Sequence, residues 1–461
     1  MTTYGRGQDP SDPFDAVGTD DARRRQLELE REERRRERER RRATSASTGR
    51  SQQRSQSGGQ QVKTRPLPRP ERVESRGGQG SRRRRQGSGP NWRLVRRVAL
   101  GFLALILVLE GVSYVRYMSQ PSSVPFGPRT VEWVRANVSS WLVDQVEREY
   151  YSWNAPAKGG PTIKTLPAVG MGTVNLSQVA ASQLPPSITP VIQPALPGEG
   201  VWRTTGLNVG GTPPVLVTTF RSDPNYPRMV AGVAWIDQRK ARVILIPGRY
   251  EPPGSGPRGP MQVPFDLRSQ LLATFNSGFR LEDSRGGFYA NGHLWAPLVN
   301  GMATAVGYSN GLVNIIPWQG GATPPANVVF ARQNLPMIVN EGKPNPNLND
   351  SAQWGTTLGN AIRVWRSGLG IDKNGNLIFA AADQQTVGSL AQILIHAGAV
   401  RAMETDINYQ WVSFISYATP NGGVPSKLLG GIDHGGTRYL SPDDRDFFAV
   451  IARAPVTQTH G

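Results

Sequence analysis

The chain contains no cysteine. That absence removes a disulfide framework, a thiolate metal site and a cysteine nucleophile together. Histidine is almost as scarce. Only His293, His396, His434 and His460 occur, and no two stand in H-x-x-x-H spacing, which excludes a zinc site of the HExxH kind. There is no P-loop, no dinucleotide-binding glycine fingerprint and no internal repeat. Apolar residues make up only 38% of the 461 positions, because the first 97 residues have few of them.

Charge is concentrated where apolar residues are missing. Of the formal +18, residues 1–97 supply 26 Lys+Arg against 13 Asp+Glu, while residues 98–461 hold 27 against 22. The basic balance therefore describes a tail, and the larger part is near neutral. Residues 1–97 are rich in Arg, Gln, Ser and Gly, and they cannot bury enough apolar surface to offset chain entropy. They are expected to be a disordered basic cytoplasmic tail. Within them, Arg23 to Arg42 mixes 11 Arg with six Glu, which suits a lone charged helix held by Glu–Arg pairs. It lacks apolar a/d positions and so is not a coiled coil. The mixed signs, with an apolar run following, argue for a solvated tail rather than a nucleic-acid arm.

That run is Val98 to Val115, 18 residues between Arg97 and Arg116. As a helix it spans about 27 Å, close to the ~30 Å hydrocarbon core of a bilayer. Trp92, Tyr114 and Tyr117 stand where interfacial aromatics belong. Arginines cluster before the run and are sparse after it, so the positive-inside bias puts the N-terminus in the cytoplasm and the C-terminal domain outside. A cleaved signal peptide fits poorly, because a long polar stretch precedes the run and no clean A-x-A site follows. Glu110 is an intramembrane carboxylate that is expected to be protonated or paired. The expected partner at this point is membrane lipid, through a single span.

Beyond the span, Val131, Val134, Val138, Trp141, Leu142 and Val146 recur in steps of three and four, which predicts a helix within Thr130 to Trp153. Asn154 to Glu199 is rich in Pro and Gly and reads as an extended spacer. From Gly200 short strands follow one another, among them Val215–Phe220, Ala241–Ile246, Leu271–Phe275, Ile362–Trp365, Leu377–Ala382, Val400–Thr405, Trp411–Ser416 and Phe447–Ala452. Asn291-Gly292, Asn310-Gly311 and Asn374-Gly375 mark tight turns between them. One helix is expected from Ser389 as N-cap, with Leu390, Ile393, Leu394 and Ala397 on one stripe and Gly398 closing it. The fold class is α+β and strand-rich. The expected order is a tail over 1–97, a span over 98–115, a helix and spacer over 116–199, and an ectodomain over 200–457.

The sharpest chemical pattern is Glu404-x-Asp406-x-Asn408 at a strand end. Alternate residues of a strand share a face about 7 Å apart, so two carboxylates and an amide can converge there. That set suits an acid/base pair or an oxygen-ligand metal site. The alternative is a set of loop polars capping an Asx turn. A second pattern is Asn276-Ser277-Gly278-Phe279-Arg280, where Arg280 suits a phosphate or carboxylate. A third is Trp365-Arg366-Ser367-Gly368-Leu369-Gly370, an arginine followed by small residues. Gly307-Tyr308-Ser309-Asn310-Gly311 matches G-x-S-x-G, and Asp406 and His434 follow in hydrolase order. The elbow needs strand, turn and helix, whereas here an Asn-Gly turn leads into another strand. His293 and His434 remain acid/base candidates on glycine-rich loops, and His396 reads as structural. No metal and no cofactor is assigned.

Taken in order, these motifs resemble the phosphodiester glycosidase family. The resemblance rests on Asn276-Ser277-Gly278-Phe279, on Pro336 to Gly342, on Arg366 to Gly370 running into Asp372-Lys373-Asn374-Gly375, and on Ala397-Gly398-Ala399 followed by Ala402 to Asp406. Asp406 matches the family aspartate. The family's glycine run after that aspartate is replaced by Ile407-Asn408-Tyr409-Gln410-Trp411. The resemblance implies hydrolysis of a sugar-1-phosphodiester. The chemistry of the residues is compatible: Asp406 or Glu404 is the catalytic candidate for acid/base work or charge stabilisation, Arg366 or Arg280 for holding the phosphate, and Asn276 and Asn408 are further substrate-binding candidates. The implied partner is a phosphate-linked glycan or envelope polymer, and nucleic acid is not expected. The other reading is a glycan- or partner-binding envelope protein of the same fold without turnover.

Overall fold

The computed structural model describes residues 92–458, apart from 123, 140–142, 144, 147–148, 151–152, 154, 174–183, 350–352 and 355–362. The basic tail, its Arg23–Arg42 stretch and His460 lie outside the described residues, as do parts of the Thr130–Trp153 helix and of the spacer. The first described element is an apolar helix, α1 (Trp92–Met118). Its segment Val95–Met118 is long and apolar enough to cross a membrane, and its apolar window is not buried against the protein. A membrane span and a signal anchor share those features. Pro121 and Pro125 stop the helix from continuing. A second helix, α2 (Phe126–Asn137), then folds back on the end of α1. Tyr114 meets the Trp133 ring edge-on at 5.0 Å, and its hydroxyl lies 2.9 Å from Thr130 Oγ1.

The body is built on antiparallel strands. Those that carry or brace the candidate site are β1 (Leu271–Asn276), β2 (Val364–Asp372), β3 (Leu377–Gln385), β4 (Ala399–Asp406), β5 (Phe414–Thr419) and β6 (Phe447–Ala452), with helix α3 (Val387–His396) between β3 and β4. A nine-stranded sheet holds β3, β2 and β4 side by side at its centre, flanked by Val230–Ile236 and Val339–Asn340. A five-stranded sheet runs Gly423–Lys427, β5, β1, β6 and Ala241–Ile246. A second five-stranded sheet spans Phe288 to Gln333, with Ala303–Tyr308 near its centre.

The two faces of the nine-stranded sheet bury different things. Phe379, Leu369 and Met403 pack against Phe275, Phe414 and Phe448 of the first five-stranded sheet. Ile378, Ala380 and Ala402 pack against Leu390, Ile393 and Leu394 of α3. With both faces covered, Leu377–Ala382 of β3 reads as an unbroken apolar run rather than an alternation. Gly368 and Gly370 are required on the helix side. A Cβ at Gly368 would lie 2.8 Å from Leu394 Cδ1, and one at Gly370 2.9 Å from Ala399 Cβ. Both lie beyond the strand expected over Ile362–Trp365. β2 runs on to Asp372.

Two further expectations are adjusted. The N-cap of α3 is Thr386, and Ser389 sits three residues inside it, closing a capping box by accepting from the Thr386 amide at 2.9 Å. The Pro/Gly-rich stretch lies along the body where it is described. Glu199 is buried against Arg221 at 2.7 Å, Trp202 Nε1 donates to the Pro186 carbonyl at 2.9 Å, and Arg221 Nη1 donates to Thr162 Oγ1 at 3.1 Å. Its prolines thus shape a strap across the sheet and not a free stand-off.

Candidate active site

Asn276, at the end of β1, joins the two sheets. Its amide nitrogen donates to Ser367 Oγ on β2 at 3.0 Å and to Thr405 Oγ1 on β4 at 3.3 Å. Its carbonyl oxygen accepts from the Ser413 amide at 3.0 Å. Ser367 and Thr405 are themselves 2.8 Å apart. These contacts bring Asn276 to the same strand ends as Arg366, Glu404 and Asp406, and all four residues are buried there.

A β-bulge decides how the two carboxylates point. Gly368 faces Glu404 across the β2–β4 ladder, and the next residue of β2, Ser367, faces Asp406. Thr405 is the extra residue, so strict alternation is broken. The expectation that Glu404, Asp406 and Asn408 share one face is therefore not met. Glu404 meets Arg366 Nη1 at 2.5 Å. Asp406 accepts from the Ile407 and Asn408 amides at 2.8 and 2.9 Å, and meets Arg445 Nη2 at 3.4 Å. Asn408 caps a turn instead of reaching into the site: its side-chain oxygen accepts from the Gln410 amide at 3.0 Å.

Burial dominates the electrostatics. It pushes the Glu404 carboxyl up to about 7, against the opposing pull of Arg366, and the nearby Asp406 charge adds to the rise. Burial also lifts Asp406 to about 6, against Arg445 and the two turn amides. Glu404 Oε2 is buried without a hydrogen-bond partner among the described residues. A buried, unpaired carboxyl oxygen is costly when charged, which is the physical reason a proton is retained there. Burial thus holds both carboxyls above the usual carboxylate range, Glu404 beside Arg366 and Asp406 beside Arg445, and perturbed carboxyls of this kind mark candidate acid–base groups.

The two arginines expected to grip an anion are already engaged. Arg366 donates to the Gln385 carbonyl at 2.9 Å as well as to Glu404. Arg280 is paired with Glu132 of α2 at 3.3 Å, with Asp283 at 3.8 Å and with Glu282. Trp411 Nε1 donates to the other Glu132 oxygen at 3.2 Å. The Arg445 guanidinium lies 4.8 Å from the centre of the Trp411 ring. Helix α2 therefore covers the rim between Arg280 and Trp411.

Sequence reasoning missed Arg445, Glu132 and Asp446. Buried Arg332 and Ser277 both bind Asp446, Arg332 through Nε at 2.8 Å, and this fixes the Asn276–Arg280 segment. Asn334 receives the Phe279 amide at 3.0 Å and donates to the Ser277 carbonyl at 3.1 Å, and a Cβ at Gly278 would overlap it. The charged cluster Asp443-Asp444-Arg445-Asp446 was the available signal.

The other candidates lie apart from this block. Ser309 sits on the turn between Ala303–Tyr308 and Val313–Pro317, its amide bonded to the Asn327 carbonyl at 2.9 Å, so the strand–turn–helix elbow is absent there. His293 lies edge-on to Trp295 at 4.9 Å. His434 is buried 5.9 Å from the Trp411 ring, and burial followed by the Arg438 charge pushes it down to about 3, so it is neutral. Among the described residues no group of three or more His, Asp or Glu is placed to hold a metal ion. Cavities of 740 and 510 Å³ open elsewhere, the larger beside Trp365 and Asp383 and the smaller beside Trp235 and Asp372.

The fold is a strand-rich α+β body with one long apolar helix before it. Residues 271–406 match the phosphodiester glycosidase family model. No curated protein matches the chain. Among solved structures, it is similar to the zebrafish N-acetylglucosamine-1-phosphodiester alpha-N-acetylglucosaminidase catalytic domain, described as auto-inhibited by its pro-peptide. That likeness has 16% identity and a TM-score of 0.35, over 53% of this chain and 87% of that one. A hypothetical protein from Synechocystis is similar at 12% identity and a TM-score of 0.34, over 57% and 64% of the two chains. An exported protein of Burkholderia pseudomallei is similar at 11% identity and a TM-score of 0.29, over 50% and 75%.

Proposed function

We propose that residues 200–457 form an extracytoplasmic hydrolase, tethered by the 98–115 span, that cleaves a sugar-1-phosphodiester in cell-envelope glycans. The observation that carries this reading is the buried Glu404–Asp406 pair on bulged β4, raised to about 7 and about 6, within the stretch that matches the family. In this reading Glu404 holds the proton and gives it to the departing phosphate oxygen. Asp406 takes a proton from the attacking water, whose hydroxyl joins the sugar. Arg445 restrains Asp406, Arg280 receives the phosphate once Glu132 leaves it, Arg366 sets the proton affinity of Glu404, and Asn276 holds the two sheets in register behind them. Asn408 supports Asp406 through its backbone amide. The matched family favours a phosphate-linked glycan as substrate, and the apolar helix favours membrane association.

The second reading is glycan or partner binding without turnover. It is favoured by the bulky run Ile407 to Trp411 after Asp406 and by the engagement of both candidate phosphate arginines. The experiment that separates the readings uses the purified full chain and a panel of sugar-1-phosphodiesters. Sugar release that disappears in Asp406→Asn supports the hydrolase. Saturable glycan binding with no release from any member supports the second reading.

A further inference from the structure

The candidate site lies at the end of the body that meets the apolar helix α1. Tyr117, in the last turn of α1, stacks on Tyr250 at 5.4 Å. Arg249 follows the same route, donating to the Pro121 carbonyl and meeting Asp444 at 3.0 Å. Ser122 donates to Asp444 at 3.1 Å. Arg129 of α2 is buried, donates to the carbonyls of Met118 and Gln120 at 3.2 and 3.1 Å, and approaches Asp444 at 3.8 Å. The next residue, Arg445, holds Asp406. One continuous run of contacts therefore leads from the end of the apolar helix to the candidate catalytic carboxylate. Around that elbow Tyr114 packs edge-on against both Phe126 and Trp133, and Phe126 is exposed. Amphipathic aromatics of this kind settle at headgroup depth.

The rim has the chemistry of an anion site. Arg280 and Trp411 Nε1 both bind the Glu132 carboxylate, and Arg445, against its own burial, is held charged by Asp406 first, then by Glu251 and Glu132. A phosphodiester carries the same single negative charge and also presents two oxygen acceptors.

We propose that the substrate is a glycosyl phosphate esterified to a membrane lipid. Its phosphate replaces Glu132 between Arg280 and Trp411, its lipid stays in the bilayer beside the α1–α2 elbow, and its sugar faces Asp406. Water adds its hydroxyl to the sugar anomeric carbon and its hydrogen to the phosphate. The bond from that carbon to the phosphate oxygen breaks, and the lipid keeps a phosphate monoester. This inference rests on the hydrolase reading above, and it names the substrate's carrier.

The test reconstitutes the full chain in phosphatidylcholine vesicles. It compares undecaprenyl-phosphoryl-N-acetylglucosamine in the bilayer with methyl-phosphoryl-N-acetylglucosamine in solution, and repeats the comparison with mannose. The lipid form is expected to show kcat/KM at least about tenfold higher, worth about 1.4 kcal/mol. Equal or faster hydrolysis of the methyl form overturns this inference and leaves the hydrolase reading standing. Hydrolysis of neither overturns both. A second readout needs no turnover. Because the chain has no cysteine, Glu132→Cys carries the only thiol. An environment-sensitive fluorophore on it is expected to be quenched strongly by headgroup spin-labelled lipid, and an unquenched fluorophore places the rim away from the bilayer and overturns the inference.

Discussion

Two charge pairs, one inside and one at the rim, divide the work of this site. Glu404 and Arg366 are closed off between β2, β4 and the face that carries α3, with side-chain exposures of 0% and 4%. Glu132 and Arg280 meet where α2 packs over Arg280 and Trp411, with 13% and 22% exposed. The inner pair sets the proton affinity of the candidate acid, because burial raises the cost of charge and the Arg366 guanidinium only partly offsets it. In the proposed reading the rim pair is exchangeable, because it is partly exposed and a competing anion can take the place of Glu132 beside Arg280. In the proposed reading, a charge pair tunes chemistry in one place and serves as a removable cover in the other.

The largest effect that would break this comparison is structural. Arg366→Ala leaves Glu404 buried without its partner and is expected to cost about 3–5 kcal/mol of stability, measured by urea unfolding. Loss of less than a rim substitution would show that the inner pair is not the buried member. Next comes proton linkage. The Glu404 carboxyl is raised from 4.5 to about 7, so the folded protein binds more protons than the unfolded chain between those values. Stability from this group is therefore present at low pH and falls as pH rises through that window. Glu404→Gln should flatten that fall, as measured by melting temperature across pH. Activity follows the pair. If Glu404 must be protonated and Asp406 ionised, the rate against pH is a narrow bell between about 6 and about 7. A plateau extending to high pH would remove Glu404 as the acid.

At the rim, Glu132→Gln is expected to change stability by only about 0–1 kcal/mol while lowering the KM for a phosphodiester substrate. An unchanged KM would mean that Glu132 does not compete for the phosphate position. The smallest expected effect is at Ser309→Ala. That residue lies on a strand-to-strand turn, so turnover should be unchanged and a fluorophosphonate probe should not label Ser309.

Much of this arrangement was legible in the sequence wherever local chemistry decides structure. Ala241–Ile246 and Phe447–Ala452 are strands with the bounds their apolar runs imply. Gly398 closes α3 with φ of +98°, a conformation for which glycine is suited. Asn291-Gly292 takes left-handed angles at both positions of a hairpin turn. Asn276, Arg366, Glu404 and Asp406 do reach one set of strand ends, because each stands at the edge of an apolar run that becomes a central strand.

What was not legible depends on long-range fit. The bulge at Thr405 is created by the β2–β4 register, and nothing in the run Ala402 to Asp406 announces it, so the carboxylates were expected on one face. Gly368 and Gly370 fell outside the expected strand because the reason for them is Leu394 and Ala399, distant in sequence. Arg280 read as an open anion grip because Glu132, its partner, comes from a helix far earlier in the chain. The strap over the sheet was read as a free spacer for the same reason: its proline content sets backbone angles, while its docking depends on Arg221 and Trp202.

The most direct measurement is release of free sugar from a sugar-1-phosphodiester by the purified full chain, with Asp406→Asn and Glu404→Gln beside it at matched folding. Release by the natural sequence, lost in both variants, is the predicted result. Undiminished release in Asp406→Asn, or none from the natural sequence across the panel, contradicts the account.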